Sequence, residues 1–279
     1  MVRGLDESRF VAMRRSVNLS HIPVLFKTKR SKAIPKNELG KNAAEFLEKY
    51  DIALGARHAT IPHGKIDTGD YVWLHLGRGK GEGSIGIGDI TAHGSKAAGL
   101  RRRIVKAIAP LYEGAKNPQL QKVYDKLHVL VERENDILPA IHGRFNWRKG
   151  LIKYFNAAHP PVLLLRGGEV REVMPSAQAF LGAIREKVEL KELKLEEGDR
   201  LFFMTDGIFE HVKQNGDSDY ESRILPKEGI IDAIKKHSGK PLNAHVQEIF
   251  KTLDAWEKQR NDDQTIFALE VKRKSAGNR

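Results

Sequence analysis

Four acidic residues share an unusual setting in this chain: the end of an apolar run, three of them beside a glycine. Gly69-Asp70 precedes Tyr-Val-Trp-Leu, Ile85-Gly86-Ile87-Gly88 leads into Asp89, and Phe202-Phe203-Met204-Thr205 leads into Asp206-Gly207. The fourth, Asp262, comes with its neighbour Asp263 just before the apolar run that starts at Gln264. An acid at a strand end can reach into a cleft while its backbone stays anchored. Taken singly, each has an ordinary explanation, because Asp-Gly at a strand end is often only a turn. Taken together they suggest more. Carboxylates brought close repel one another, and their ionised state then needs a cation or a shared proton. Oxygen-only ligands select hard ions such as Mg²⁺ or Mn²⁺ rather than zinc or copper. A pair of such ions can activate a water and clamp a phosphoryl group for in-line attack.

The elements that must hold these acids are legible from hydrophobic periodicity. Strands are predicted over residues 52–61, 70–76, 84–91, 140–147, 151–156, 162–166, 169–173, 200–205 and 264–271, separated by Gly-, Pro- or Lys-rich turns. Apolar residues at spacings of three and four predict helices over 93–112 and 118–137, and later over 230–236 and 244–258. A short helix is expected near residues 42–47. The order is strands, two long helices, strands, two helices, strand. It fits an α+β, four-layer αββα sandwich, two antiparallel sheets flanked by helix pairs. A parallel doubly wound sheet fits poorly, because helices do not alternate singly with strands. Gly77 to Gly83, GRGKGEG, lacks both the phosphate-loop arrangement and a following helix, and reads as a hairpin loop.

The 279 residues, 40% hydrophobic and 30% charged, are globular in composition and long enough to bury a sizeable core. With no cysteine, disulfides, zinc-thiolate sites and a cysteine nucleophile are excluded. No stretch approaches the roughly 20 apolar residues that span a bilayer, and the N-terminus lacks a signal-peptide core, so a cytoplasmic protein without membrane contact is expected. The net charge is +12, with 11 Lys/Arg against 5 Asp/Glu in the first 50 residues. Nucleic-acid binding would use such charge, but no aromatic-plus-basic motif accompanies it, and solvated basic faces are the preferred reading.

Five segments in order resemble the SpoIIE-like branch of the metal-dependent, type 2C-like (PPM) Ser/Thr protein phosphatases. KIDTGDYVWL (Lys65 to Leu74) is similar to that family's Gly-Gly-Asp-aromatic segment, and IGIGDITAHGSKAAGL (Ile85 to Leu100) to its Gly-Asp-Val-Ser-Gly-His-Gly and helix. YFNAAHPPVLLLRGGEVREV (Tyr154 to Val173) is similar to its Ala-Asn-Ala-Gly-His strand pair, LEEGDRLFFMTDGIFE (Leu195 to Glu210) to its Thr-Asp-Gly segment, and NDDQTIFALEV (Asn261 to Val271) to its closing Asp-Asp-x-Thr strand. The resemblance implies a basic lead-in over 1–45, a phosphatase domain over 46–273 and a basic tail over 274–279.

It also implies roles. Asp89 would bridge two Mn²⁺ or Mg²⁺ ions, Asp206 and Asp262 would hold one of them, and Asp70 the other with the backbone carbonyl of Ile90. Asp263, the neighbour most easily confused with Asp262, is the second candidate for that metal-holding place. Hydrolysis of phosphoserine or phosphothreonine by a dimetal-activated water is implied, on a phosphorylated regulatory protein of a bacterial partner-switching pathway such as an antagonist of an anti-sigma factor. His93 has two readings: an acid that protonates the leaving serine oxygen, or a structural residue opening the helix. His159, before Pro160-Pro161, is expected to be structural. Arg57, His58, His63 and Lys65 lie near the stretch expected to meet the phosphate, and Glu210 has either a supporting or a capping role. The chain departs from the family at Thr68, Trp73, Ala92 and Ala158, where the family has glycine or, at Trp73, often an acid. These departures keep open a catalytically weak or silent binding module on the same fold, beside the nucleic-acid alternative.

Overall fold

A computed structural model of the chain describes residues 9–12, 45–57, 69–76, 81–92, 94–113, 119–209, 227–256 and 262–272. The strands are β1 (Arg9–Ala12), β2 (Tyr50–Arg57), β3 (Tyr71–Leu76), β4 (Glu82–Gly88), β5 (Ala140–Asn146), β6 (Leu151–Ala157), β7 (Val162–Arg166), β8 (Glu169–Val173), β9 (Lys191–Lys194), β10 (Arg200–Met204) and β11 (Gln264–Val271). The helices are α1 (Gly94–Glu113), α2 (Leu120–Glu132), α3 (Lys227–Lys236) and α4 (Leu242–Trp256). Strands β1-β2-β11-β10-β7-β8 form one sheet and β3-β4-β5-β6-β9 the other, every pairing antiparallel.

Side-chain alternation along the strands builds the layers. Leu201 and Phe203 of β10 join Val72, Leu74, Ile85, Ile87, Ile141 and Phe267 in a core between the sheets. Their neighbours Phe202 and Met204 face the other way, against Ile230, Ile234, Val246, Ile249 and Phe250 of α3 and α4. Tyr71 and Trp73 of β3 pack against Leu100, Ile104 and Ile108 of α1 and Val123, Leu127 and Val131 of α2. Three separate cores require four layers, as the element order predicts. A strand buried on both faces needs apolar residues or paired charges at every position, which is why β10 reads as the apolar run LFFM after Arg200, a buried arginine that bonds His245 and Glu270.

Glycines open one face of β4. A Cβ at Gly86 would lie 2.7 Å from Nδ1 of His142, and one at Gly88 2.5 Å from the ring of Tyr71. The space they leave holds a buried polar chain: the Tyr71 hydroxyl bonds Nε2 of His142 at 2.8 Å, and the Tyr112 hydroxyl bonds Nδ1 at 3.2 Å. Burial pushes the His142 pKa down to about 3, so the ring is neutral, with one nitrogen donating and the other accepting. Trp73 belongs to the same layer, donating from Nε1 to Ser84 Oγ at 2.6 Å.

Boundaries differ from expectation in a few places. β4 stops at Gly88 because the next residue opposite, Pro139, accepts from the Asp89 amide at 3.1 Å but has no N–H to return a bond. The helix expected to reach residue 137 ends at Glu132, and Asn135 takes a left-handed turn (φ 51°), a conformation asparagine tolerates. The first short helix lies at 45–49, and its Phe46 stacks on Tyr50. The polar edge strand β9 and the N-terminal β1 were not anticipated. Residues 77–80 of the predicted hairpin loop lie outside the described residues, although β3 and β4 pair as that hairpin requires, Tyr71 opposite Gly88.

Candidate metal centre

Antiparallel pairing puts the start of β3 beside the end of β4, so Asp70 and Asp89 emerge together. It likewise puts the end of β10 beside the start of β11, where Met204 opposes Ile266, so Asp206 and Asp262 emerge together. The two sheets meet at this end of the sandwich. Carboxylate oxygens of Asp89, Asp206 and Asp262 lie within 4.8 Å of one another. Asp89 is buried, whereas Asp206 and Asp262 are half-buried, so the group opens toward solvent on one side.

Asp70 sits deeper, 4% exposed. Its Oδ2 accepts from the hydroxyls of Thr205 at 3.0 Å and Thr265 at 2.5 Å, the first just past β10 and the second in β11 of the opposite sheet. Thr205 Oγ1 in turn accepts from the amide of Thr265 at 3.0 Å. These threonines bind the sheets together at the acid end. Sequence reading passed over both, although each lies within three residues of a candidate acid in its motif. Asp263 turns to Gly69, whose amide donates to its Oδ2 at 3.3 Å, and Asp262 Oδ1 accepts from the amide of Asp263 at 2.7 Å. Gly69 is needed for packing: a Cβ there would lie 2.5 Å from the carbonyl oxygen of Ile90, which places that carbonyl against the Gly69-Asp70 backbone.

The electrostatics follow from this crowding. Burial raises the pKa of Asp89 first, and the carboxylates of Asp70 and Asp206 raise it further. Burial also raises Asp70, opposed by the Thr265 hydroxyl and reinforced by Asp263. Several oxygen donors whose ionised forms are penalised by burial and mutual repulsion, with no sulfur or nitrogen among them, suit hard divalent cations.

His159 is buried, with Nδ1 2.9 Å from Pro160 O, and burial lowers its pKa to about 4, against smaller upward contributions from that carbonyl and from Asp206. Asn156 holds the same turn: its side chain donates to His159 O at 3.0 Å and Met174 O at 2.7 Å and accepts from the His159 amide at 2.9 Å. Ala158, in place of the family glycine, has φ 52°, a left-handed conformation costly for a residue with a Cβ. Trp73 lies in the aromatic layer against α1, so this departure leaves the acid group intact. His93, Arg57 beyond its backbone, His58, His63, Lys65, Thr68 and Glu210 lie outside the described residues.

The sequence model of the family described as Stage II sporulation protein E (SpoIIE) matches residues 79–272. The chain belongs to the SpoIIE family. Solved structures share the fold. The RsbU and RsbW domains of Rv1364c from Mycobacterium tuberculosis align with a TM-score of 0.65 at 20% identity, over 80% of this chain and 60% of that one. The SiaA-PP2C domain of Pseudomonas aeruginosa aligns with a TM-score of 0.62 at 19% identity, over 83% and 88%. RsbX, solved in complex with magnesium, aligns with a TM-score of 0.56 at 17% identity, over 81% and 96%. At these identities the likeness is one of fold, and this chain spans only part of the Rv1364c chain. No curated protein matches this chain. Among the described residues no helix is long and apolar enough to cross a membrane.

Proposed function

We propose that this SpoIIE-family chain is a metal-dependent phosphoserine/phosphothreonine phosphatase. The observation that carries the proposal is the convergence of Asp89, Asp206 and Asp262, from two different sheets, to within 4.8 Å. In this reading those three carboxylates and Asp70, with the Ile90 carbonyl beside Gly69, hold two Mn²⁺ or Mg²⁺ ions. Bound there, such ions supply Lewis-acid activation of a water and neutralise charge on a phosphoryl group.

The protein's own part is positional. The strand ends fix the carboxylates, Thr205 and Thr265 fix Asp70, and the open side of the group admits a phosphorylated side chain. We assign as substrate a phosphorylated regulatory protein of partner-switching type, the substrate class that the motif resemblance implies. A reducing cytoplasmic setting agrees with the absence of cysteine.

The test is hydrolysis of an aryl phosphate by the full chain with Mn²⁺, with Mg²⁺ and with EDTA, wild type beside Asp89→Asn. Activity should require metal and fall by orders of magnitude in the variant. A folded wild type without turnover on aryl phosphate or on phosphopeptides would favour the silent binding module. Near-normal turnover in Asp89→Asn would break the site assignment.

A further inference from the structure

The turn from Asp89 to Ala92, between β4 and α1, carries two of the proposed metal-holding groups, the Asp89 carboxylate and the Ile90 carbonyl. A turn this short has no ladder of its own, so its shape depends on what lies beside it. Gly69 packs against the Ile90 carbonyl on one side, and on the other lies the segment 136–139 between α2 and β5. Pro139 O accepts from the Asp89 amide at 3.1 Å, which fixes the start of the turn. The far end is fixed through a side chain. The Thr91 hydroxyl donates to Asp136 Oδ1 and lies 3.3 Å from Ile137 O. A hydroxyl has one proton, and the carboxylate is the stronger acceptor. Asp136 Oδ1 also accepts from the Ile137 amide at 3.0 Å, and its Oδ2 lies 3.3 Å from Nζ of Lys96 in the first turn of α1. The Asp136 side chain is 5% exposed.

We infer that Asp136 is a positioning residue for the metal centre, one that holds the Asp89–Thr91 turn through the Thr91 hydroxyl and Lys96 and thereby sets the affinity of the site for its divalent ions. The inference rests on the dimetal reading above. It assigns Asp136 no contact with metal or substrate. Its contacts divide in two. The bond to the Ile137 amide is local and serves the α2–β5 connection alone. The bonds to Thr91 and Lys96 cross 45 and 40 residues and serve the metal turn. Removing the Thr91 hydroxyl cuts only the second kind, and Thr91 is exposed, so Thr91→Val leaves the core untouched.

The experiment is calorimetric titration of the full chain with Mn²⁺, for wild type, Asp136→Ala, Asp136→Asn, Thr91→Val and Thr91→Ser. Loss of a group that orients metal ligands costs about 10- to 100-fold in metal affinity. Asp136→Ala should weaken Mn²⁺ binding by that amount. Thr91→Val should weaken it in the same direction by roughly 10-fold. Thr91→Ser, which keeps the hydroxyl, should bind as wild type, and Asp136→Asn, which keeps an acceptor but loses the Lys96 pairing, should fall between. A thermal melt in EDTA separates this from a merely structural role, since Thr91→Val should keep its metal-free melting temperature. If Asp136→Ala does not fold, Thr91→Val decides. Mn²⁺ affinity in Thr91→Val within twofold of wild type would overturn the inference while leaving the dimetal reading standing. A wild type that binds no Mn²⁺ at all would overturn both.

Discussion

The two ends of β10 each carry a buried or half-buried aspartate, and they solve the problem of its charge in opposite ways. At the start, Asp199 is met by Arg166, whose Nε donates to Oδ1 at 2.8 Å and whose Nη2 donates to Oδ2 at 2.6 Å, and the amide of Glu196 adds a third bond to Oδ2 at 2.7 Å. Next to it, Arg200 reaches His245 Nδ1 at 2.9 Å and Glu270 at 3.0 Å. At the far end, Asp206 meets Asp89 and Asp262, and Asp89 feels Asp70 and Asp206 as repulsion. The same strand thus ends once in a completed ion pair and once in a group of acids that repel one another. The first arrangement stabilises the fold. The second costs stability unless a cation binds.

The largest stability effect should come from breaking the completed end. Asp199→Ala takes from the Arg166 guanidinium its two bonds to the buried carboxylate, leaving it Glu196 Oε1 and Lys194 O, and strips the Glu196 amide of its acceptor. Removing one partner of a fully buried pair costs about 3–5 kcal/mol; because Arg166 is 27% exposed, about 2–3 kcal/mol is expected in denaturant unfolding. Metal-dependent hydrolysis per folded molecule should not change, since Asp199 is at the other end of the strand. A variant as stable as wild type would show that the guanidinium–carboxylate contact contributes nothing net, and the contrast between the ends would lose one side.

Both ends belong to one segment of sequence, LEEGDRLFFMTDG, and that segment shows what sequence can and cannot supply. The strand was legible because four consecutive buried positions, Leu201 to Met204, are apolar. Asp206 was legible because an acid after such a run recurs at Asp89 and before β3, and because the motifs resemble a known family in order. The partners were not. Arg166 lies 33 residues before Asp199, and Thr265 lies 195 residues after Asp70. Pairings of that separation are fixed by strand order, which periodicity does not encode. Asp136 was passed over for the same reason: as the turn after a helix it looks ordinary, and only the fold brings it to Thr91. β9 escaped notice because its sequence, KELK, has half-exposed positions and a single apolar residue.

The acid end is tested next by removing metal across pH. Asp70 and Asp89 have raised pKa values in the fold, burial being the largest cause in both, so between the ordinary carboxylate value near 4 and the folded value the native state binds more protons than the unfolded chain. Their contribution to stability therefore falls as pH rises through that window. The buried His142, His159 and His245, all lowered chiefly by burial, act in the opposite sense, an effect that fades within about one pH unit above the unfolded value near 6.5. Among these groups the carboxylates then set the slope. In EDTA, stability should fall by on the order of 2 kcal/mol from pH 6.5 to 8. Asp89→Asn should flatten the decline, and Mn²⁺ should stabilise wild type more at pH 8 than at pH 6.5. An EDTA curve that is flat or rises over this range would mean that the acid group carries no repulsive cost.

The smallest effect separates backbone strain from charge at the same end. Ala158 sits at φ 52° in the turn that Asn156 and His159 hold near Asp206. A left-handed alanine costs about 1–2 kcal/mol, while glycine there gives back about 0.4–1 kcal/mol through a freer unfolded chain. Ala158→Gly should therefore stabilise the protein by about 0.5–1 kcal/mol, read as a rise in the unfolding midpoint. Because no charge changes, the gain should be the same at pH 6.5 and pH 8 and the same with EDTA or Mn²⁺. A gain that appeared only in EDTA at high pH would mean that the turn yields to carboxylate repulsion, so that strain and charge at this end are one effect. A loss of stability would mean that the Ala158 methyl group makes contacts worth more than its backbone costs.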